Sequence, residues 1–292
     1  MPEEPNKLQK QIIIENLYRH VEYLSVKIGD RHLWKEGSLD RSADYIESAF
    51  TSYGYSPQRQ IFSCYGRSVS NVIAEKNGTG KEVVVIGAHY DTMPGTPGAD
   101  DNASAVAGLL ELARLLREGS NQKTFLFAAF ANEEPPFFGF PHMGSMVYAK
   151  HLRERGISVE VMVSLEMLGY FKREPIQMYP LPGMDIFYPK TADYIAIVGN
   201  FHSFRYITFF KKGIKNHSSI NARSLIAPEF FGGINFSDNF SFWRHGFRAL
   251  MVTDTAFYRN RHYHQQTDTI DTLAFEQMGE VVKGLYYTLM AL

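Results

Sequence analysis

Short apolar runs alternate along the chain with longer amphipathic segments. The run Glu82–Ala88 (EVVVIGA) is β-branched and almost fully apolar, which is typical of a strand buried on both faces. Four runs of similar character predict further strands, at Thr124–Ala131, Val159–Leu165, Asp193–Val198 and Arg248–Thr253. Ahead of them, two shorter segments predict the strands of a hairpin, Ile61–Ser68 and Asn71–Glu75.

Apolar residues at helical spacing predict helices between and around these strands. The predicted helices are Lys7–Ile28, Arg41–Phe50 with Ser38 as its N-cap, Ala103–Arg117, Ser145–Arg155 and Thr272–Leu292. Strands that alternate with helices favour an α/β fold, here a three-layer sandwich with a mostly parallel central sheet and helices on both faces. Sheets of this kind bind ligands beyond the carboxyl ends of their strands, so we expect the functional site there.

Composition narrows the class of protein. The 292 residues are 45% apolar, which is enough for one large core, and we expect a single domain over residues 1–292. Thirty Lys and Arg residues balance 31 Asp and Glu residues, so the charge predicts neither a nucleic-acid nor a membrane partner. Cys64 is the one cysteine, which excludes an intramolecular disulfide and a zinc site built on thiolates.

The setting of the protein is predicted from the same features. The N-terminal stretch MPEEPNKLQKQIII carries two early acids and only a short apolar part, so we do not expect a signal peptide. No run approaches the ~18 consecutive apolar residues of a membrane span. We therefore expect a cytoplasmic protein, and the sequence leaves its oligomeric state open.

Polar, metal-capable residues follow the predicted strands at their carboxyl ends. Taken singly, such residues are more often surface histidines, helix starts or turn residues than metal ligands. Five clusters that are distant in the chain nevertheless meet at one edge of the sheet. They are His89-Tyr90-Asp91, Asp100-Asp101-Asn102, Asn132-Glu133-Glu134, Glu166 and His262-Tyr263-His264.

The donor types in these clusters suit a particular chemistry. Two histidines and three carboxylates, one of them shared, match two closely spaced zinc ions, because zinc accepts both imidazole nitrogen and carboxylate oxygen. Paired metals activate water and stabilise a tetrahedral transition state. A carboxylate that is not a ligand then takes the proton of that water. Since Glu133 and Glu134 are adjacent, an extended chain would direct one to metal and the other to water.

The combined motifs resemble metallopeptidase family 28, the two-zinc aminopeptidases of the bacterial leucyl type. The matching segments occur in the family's order and span roughly residues 85 to 271. The resemblance implies a zinc-peptidase-like fold, a peptide substrate and two zinc ions per chain. The matching segments are GAHYDT (87–92), GADDNAS (98–104), FANEE (130–134), GSMVYA (144–149), SLEMLGY (164–170), SDNFSFWRHG (237–246) and YHQQTDTID (263–271).

The resemblance also implies a ligand set. His89 and Glu166 would bind one zinc ion, and Glu134 and His264 would bind the other. Asp101 would bridge the two ions, with the neighbouring Asp100 as the less favoured candidate. His262 is an alternative to His264, because residues two apart in an extended stretch can face the same side.

Three further roles follow from the resemblance. Glu133 would be the general base and acid of a peptide hydrolysis in which the two zinc ions and Glu133 activate a bridging water. Asp91 would orient the ring of His89, and the hydroxyl of Tyr263 would polarise the scissile carbonyl. The family often holds the bond after the bridging acid, here Asp101-Asn102, in the cis form.

The chain departs from the family pattern at three places. Glu166 stands where Asp is common. The segment Pro135–Met143 (PPFFGFPHM) stretches the spacing after Glu134, either as a wall of the substrate pocket or as an ordinary packed loop. The aromatic-rich region 179–236 matches no motif and is a candidate specificity-pocket insertion, which suggests an apolar pocket.

Other functions remain open from sequence alone. A glutaminyl cyclase of the same fold would use a single zinc ion and would cyclise an N-terminal Gln without an attacking water. A two-metal amidase or carboxypeptidase would carry an inserted domain for which this chain shows no obvious segment. A non-catalytic binding relative would have lost metal ligands, whereas every expected ligand position is filled here.

Overall fold

The computed structural model of the chain describes residues 7–119 and 121–292. The first six residues, part of the stretch tested above for a signal peptide, lie outside the described residues. The strands are β1 (Gln58–Cys64), β2 (Arg67–Lys76), β3 (Val83–His89), β4 (Thr124–Phe130), β5 (Val159–Glu166), β6 (Tyr194–Gly199), β7 (Asn221–Ile226) and β8 (Ala249–Thr253). The helices are α1 (Lys7–Glu22), α2 (Ser38–Ser52), α3 (Ala105–Leu116), α4 (Gly144–Glu154), α5 (Phe204–His217), α6 (Asn239–Arg244) and α7 (Phe275–Met290).

In the described part of the chain the eight strands form one mixed sheet in the order β1-β2-β4-β3-β5-β8-β6-β7. Four of its seven strand pairings are parallel, and they include the central β4-β3-β5-β8 block. The hairpin β1-β2, its pairing with β4 and the pairing of β6 with β8 are antiparallel. The α/β fold with a central sheet is therefore confirmed, and the carboxyl ends of the four central strands lie at one edge.

Two apolar layers cover the two faces of this sheet. Side chains alternate along β3, so that Val84 and Ile86 pack into one core while Val83 and Val85 pack into the other. Helices α1, α2, α3, α5 and α7 contribute to the first core, and α4 and α6 contribute to the second. The strand ends that carry the site are thus packed between two layers of helices.

Turn and cap geometry differs from the sequence predictions. Ser38 is not an N-cap: it is the first residue of α2, and its hydroxyl donates to the carbonyl oxygens of His32 and Lys35. The hairpin turn lies at Tyr65 and Gly66, which both have positive φ, several residues before the predicted break. The first helix changes after Glu22 to a π-helical segment that ends at Gly29.

The region 179–236 supplies part of the sheet itself. It contains β6 and β7 together with α5, neither α5 nor β7 being predicted from sequence. Helix α5 buries Tyr206, Ile207, Phe210 and Ile214 along one stripe against the first core. None of the described helices has the length and apolar character needed to cross a bilayer.

Candidate metal centre

The strand ends bring the candidate ligands together. His89 is the last residue of β3, and Glu166 is the last residue of β5. Glu133 and Glu134 lie just beyond the end of β4, and Asp101 lies in the turn that leads into α3. His264 follows β8 in the chain. This arrangement is the one expected for a site at the carboxyl edge of a largely parallel sheet.

The first group of ligand atoms consists of His89, Asp101 and Glu166. Nε2 of His89 lies 3.3 Å from Oε2 of Glu166 and 3.5 Å from Oδ1 of Asp101. The three side chains are buried, and their ligand atoms all lie within 4.8 Å of one another. The hydroxyl of Ser237 donates to Oε2 of Glu166 at 2.7 Å and so fixes the longer carboxylate in place.

The second group consists of Asp101, Glu134 and His264. Nε2 of His264 lies 3.0 Å from Oε2 of Glu134 and 3.2 Å from Oδ2 of Asp101. This nitrogen is buried, and it forms no hydrogen bond to any of the described residues. Asp101 thus directs Oδ1 toward one group and Oδ2 toward the other, which is the geometry of a bridging carboxylate.

Glu133 belongs to neither group but borders the first one. Its Oε2 lies 3.8 Å from Nε2 of His89. The two oxygens of Asp91 accept hydrogen bonds from the backbone N–H groups of Glu133 and Glu134, at 3.0 and 3.1 Å. Oδ1 of Asp91 also lies 3.5 Å from Nδ1 of His89. One carboxylate therefore fixes the glutamate pair and the far side of the imidazole.

Burial and the close contacts between side chains shift the pKa values of this site. Burial raises the pKa of Glu133 well above its usual range and raises the pKa of Glu134 to about 8. Burial acts against protonation of His264, but the Asp101 and Glu134 carboxylates outweigh it and raise the pKa of His264 to about 10. The two histidines in turn hold the pKa of Asp101 below its ordinary value.

The donor chemistry of the two groups fits metal ions. Buried carboxylates outnumber buried imidazoles at this edge of the sheet, and uncompensated buried carboxylates are costly. In each group, a ring nitrogen of a histidine faces carboxylate oxygens, and the ligand atoms lie within 4.8 Å of one another. The Nε2 atom of His264 has no hydrogen-bond partner among the described residues. Nitrogen and oxygen donors in this combination are the ligands that zinc accepts.

The backbone is unusual around the same residues. Asn132, Met167 and His264 have φ values of 58°, 46° and 56°, in the left-handed region that side chains other than glycine rarely adopt. Each is a candidate ligand or is adjacent to Glu133 or Glu166. Strained backbone of this kind clusters at functional sites. The Asp101-Asn102 bond is cis, as the resemblance implies.

The structure separates the alternative ligands from the site. Asp100 accepts hydrogen bonds from the backbone of Gly169 and from Nδ2 of Asn260, and it lies in neither ligand group. His262 contacts the hydroxyl of Thr267 at 2.8 Å through Nδ1 and is also outside both groups. Within the described residues, Asp101 and His264 are therefore the members of these pairs that face the site.

Two side chains outside the ligand groups anchor the site. The carboxylate of Asp268 accepts hydrogen bonds from the backbone N–H groups of Asp100 and Asp101. These bonds fix the turn that carries the shared carboxylate of Asp101. Arg31 is completely buried and donates to five backbone carbonyls, of which those of Pro97 and Gly98 precede that turn. No local pattern around Arg31 signals this role, because three of its partners, in Tyr90, Pro97 and Gly98, are distant in the chain.

An apolar pocket opens beside the ligand groups. Its lining includes Glu166, Tyr263 and aromatic rings from the 179–236 region, among them Tyr179, Tyr188 and Tyr194. The ring of Tyr263 stacks on that of His264 with centroids 3.8 Å apart. Among the described residues, the only charged ones in its lining are Arg223 on β7 and Glu166, which belongs to the first ligand group.

Curated relatives of the chain include a protein without an assigned activity and an aminopeptidase. YfbL of Escherichia coli K12, an uncharacterized protein, is 39% identical over 93% of this chain and 86% of its own length. Aminopeptidase YwaD of Bacillus subtilis is 26% identical over 76% of this chain. The match covers 44% of YwaD, so this chain spans less than half the length of that relative.

Solved structures share the fold at low identity. A zinc aminopeptidase from Bacillus subtilis aligns with a TM-score of 0.75 at 17% identity, over 99% of this chain and 95% of its own. A glutaminyl cyclase from Fimbriiglobus ruber aligns with a TM-score of 0.70 at 18% identity, over 96% and 95% of the two chains. The profile of peptidase family M28 matches residues 71–289, which include every candidate ligand. The chain therefore belongs to peptidase family M28, a family of peptide hydrolases.

Proposed function

We propose that the protein is a zinc-dependent aminopeptidase that hydrolyses the N-terminal peptide bond of its substrate. The observation that carries this proposal is the pair of ligand groups that share Asp101, each oxygen facing one group. Glu133 stands outside both groups and close to the first, so its carboxylate is available for proton transfer. The YwaD relative, named as an aminopeptidase, supports the same assignment.

The side chains divide the work of such a reaction. Zinc ions in the two groups would polarise the scissile carbonyl and make water acidic. Glu133 takes a proton from the attacking water and returns it to the nitrogen of the leaving peptide. Tyr263 lies between the pocket and the ligand groups, where its hydroxyl can donate to the carbonyl oxygen as charge develops.

Substrate selection follows from the pocket beside Glu166. The first side chain of the peptide enters among the tyrosine rings, which provide apolar area and few fixed charges. We expect Leu-anilide to be hydrolysed better than Lys-anilide or Glu-anilide. A clear preference for Glu would contradict the apolar pocket and would point to Arg223 as the group that recognises the side chain.

A direct assay separates this function from cyclisation. The metal-loaded protein is incubated with Leu-anilide and, separately, with a peptide that begins with Gln. Release of the anilide supports the aminopeptidase. Loss of ammonia from the Gln peptide without cleavage, and no anilide release, would assign cyclase activity instead.

A further inference from the structure

The segment Pro135–Met143 has a fixed conformation directly beside the glutamate pair. The N–H of Phe137 donates to the carbonyl of Glu134 at 2.9 Å, and that of Phe140 donates to the carbonyl of Phe137 at 2.9 Å. The N–H of Gly144 closes the segment on the carbonyl of Ala131 at 2.7 Å. Because these bonds fix the segment at both ends, the directions of its side chains are set by its backbone.

Two consecutive phenylalanines of this segment point to different surroundings. Phe137 is buried and stacks with Trp34, with ring centroids 5.3 Å apart. Phe138 is only half-buried and lies against α6, with its ring stacked on that of Phe240 at 5.8 Å. Phe137 therefore anchors the segment, whereas Phe138 keeps part of its ring available to a ligand.

Phe138 begins a row of aromatic rings that leads to the metal ligands. The aromatic row consists of Phe138, Phe236, Phe257 and Tyr263, with successive centroids 6.5, 6.3 and 5.5 Å apart. Its last ring stacks on His264. Phe236 is 47% exposed and the other three rings are half-buried, so the row is a surface rather than a part of either core.

The proposed reaction places the leaving peptide near this row. Glu133 must reach the nitrogen of the leaving peptide, so that peptide begins at the glutamate pair, directly before Pro135–Met143. The first side chain of the substrate occupies the pocket, whose lining includes three rings of the row, Phe236, Phe257 and Tyr263, but not Phe138. The row thus continues from the pocket toward the segment that borders the leaving peptide.

We propose that Phe138, the ring of the row that lies outside the pocket, contacts the side chain that follows the scissile bond and gives the protein a preference for an apolar or aromatic second residue. This inference rests on the proposed aminopeptidase function. Ring faces and edges recognise apolar and aromatic side chains with specific geometry. Removal of one such contact changes discrimination by roughly tenfold.

The test compares two substrates that differ only in the second residue. Values of kcat/KM for Leu-Phe-amide and Leu-Ala-amide are measured for the wild type, Phe138→Ala, Phe138→Leu and the control Phe140→Ala. Phe140 belongs to the same segment and is 61% exposed, but it lies outside the row. We expect the wild type and Phe140→Ala to prefer Leu-Phe-amide, Phe138→Ala to lose roughly tenfold of this preference and Phe138→Leu to recover part of it.

Two outcomes overturn the inference separately from the function. Equal use of the two substrates by the wild type, or an unchanged preference in Phe138→Ala, would exclude Phe138 as a contact of the second residue. Hydrolysis of Leu-amide by the wild type tests the function itself. If the wild type does not hydrolyse Leu-amide, calorimetry still tests Phe138 through the binding of the two dipeptides with a reduced peptide bond. Equal affinities of the wild type and Phe138→Ala for these dipeptides would contradict the role of Phe138.

Discussion

Neighbouring side chains with the same chemistry have different surroundings in this site. The backbone N–H groups of Glu133 and Glu134 both donate hydrogen bonds to the carboxylate of Asp91. Only the Glu134 side chain, however, points at Nε2 of His264. The carboxylate of Glu133 instead borders His89 from outside the ligand groups. Under the proposed function, this difference in surroundings would make Glu134 a metal ligand and leave Glu133 for proton transfer.

Replacement of Glu133 tests this division. Glu133→Gln should retain its metal content, because the side chain is in neither ligand group, and should lose at least roughly two orders of magnitude in kcat. The matched variant Glu134→Gln should lose metal as well as activity. Metal analysis and steady-state kinetics measure both effects. Turnover by Glu133→Gln near the wild-type rate would remove Glu133 from the mechanism.

At the scale of the elements, the polar ends of helices are satisfied by distant side chains. Lys76 on β2 is buried, and its ammonium group donates to the carbonyl oxygens of Leu116, Arg117, Glu118 and Gly119 at the end of α3. A cation at a helix C-terminus is also favoured by the helix dipole. Lys76 therefore joins the sheet to the helix that follows the shared aspartate.

Removal of this cap should destabilise the fold. Lys76→Met leaves the carbonyl groups without their donor, and we expect the free energy of unfolding to fall by about 1–3 kcal/mol. The exposed Lys81 provides the control, since Lys81→Met removes a charge from nearby without removing a cap. Urea unfolding of the three proteins gives the comparison. Equal losses in both variants would show that the cap contributes nothing.

The contact between α1 and α2 contains a histidine that stays neutral. His20 lies between the hydroxyl groups of Tyr45 and Tyr53, at 2.7 and 2.8 Å, and burial lowers its pKa to about 3. Below about pH 6.5 the unfolded chain binds a proton at His20 that the folded chain does not bind until about pH 3. Stability is therefore complete above pH 6.5 and is lost progressively as the pH falls.

A variant without this titration should show a flatter pH dependence. His20→Gln keeps an amide between the two tyrosines but does not titrate. The stability advantage of the wild type over His20→Gln should shrink by about 2 kcal/mol between pH 6.5 and pH 5. Urea unfolding at the two pH values measures the difference. Parallel curves for the two proteins would show that folding does not lower the pKa of His20.

The elements also show what sequence can and cannot predict. His89 and Glu166 were found because each ends a β-branched apolar run, a local signal. The hairpin turn at Tyr65-Gly66 and the hydrogen bonds of Ser38 were missed because several neighbouring polar residues could serve equally well. Arg31 gave no signal because the partners that tie it to the site, the carbonyls of Tyr90, Pro97 and Gly98, come from a distant segment.

At the scale of the whole molecule, the site is a concentration of buried negative charge. The carboxylates of Asp91, Asp101, Glu133, Glu134 and Glu166 are all buried at the edge where the central strands end. Bound cations would compensate this charge, and the free energy of their binding adds to the stability of the folded chain. The fold and the metal are therefore expected to be thermodynamically linked.

Metal removal should lower the melting temperature. Binding at about 100 times the dissociation constant stabilises a protein by about 2.7 kcal/mol, which corresponds to roughly 5–10 °C in a chain of this size. Calorimetric scans with and without a chelator measure the shift, and Glu134→Gln should shift less than the wild type. An identical melting temperature in the presence and absence of the chelator would contradict the linkage.

The most direct test of the central claim counts metal ions and activity together. Zinc is titrated into the demetallated protein, and bound ions per chain and Leu-anilide hydrolysis are measured at each point. The shared position of Asp101 predicts two ions per chain, with activity rising as the pair fills. One bound ion without hydrolysis would contradict the aminopeptidase and favour cyclase chemistry, and no bound zinc would show that the ligand groups are structural.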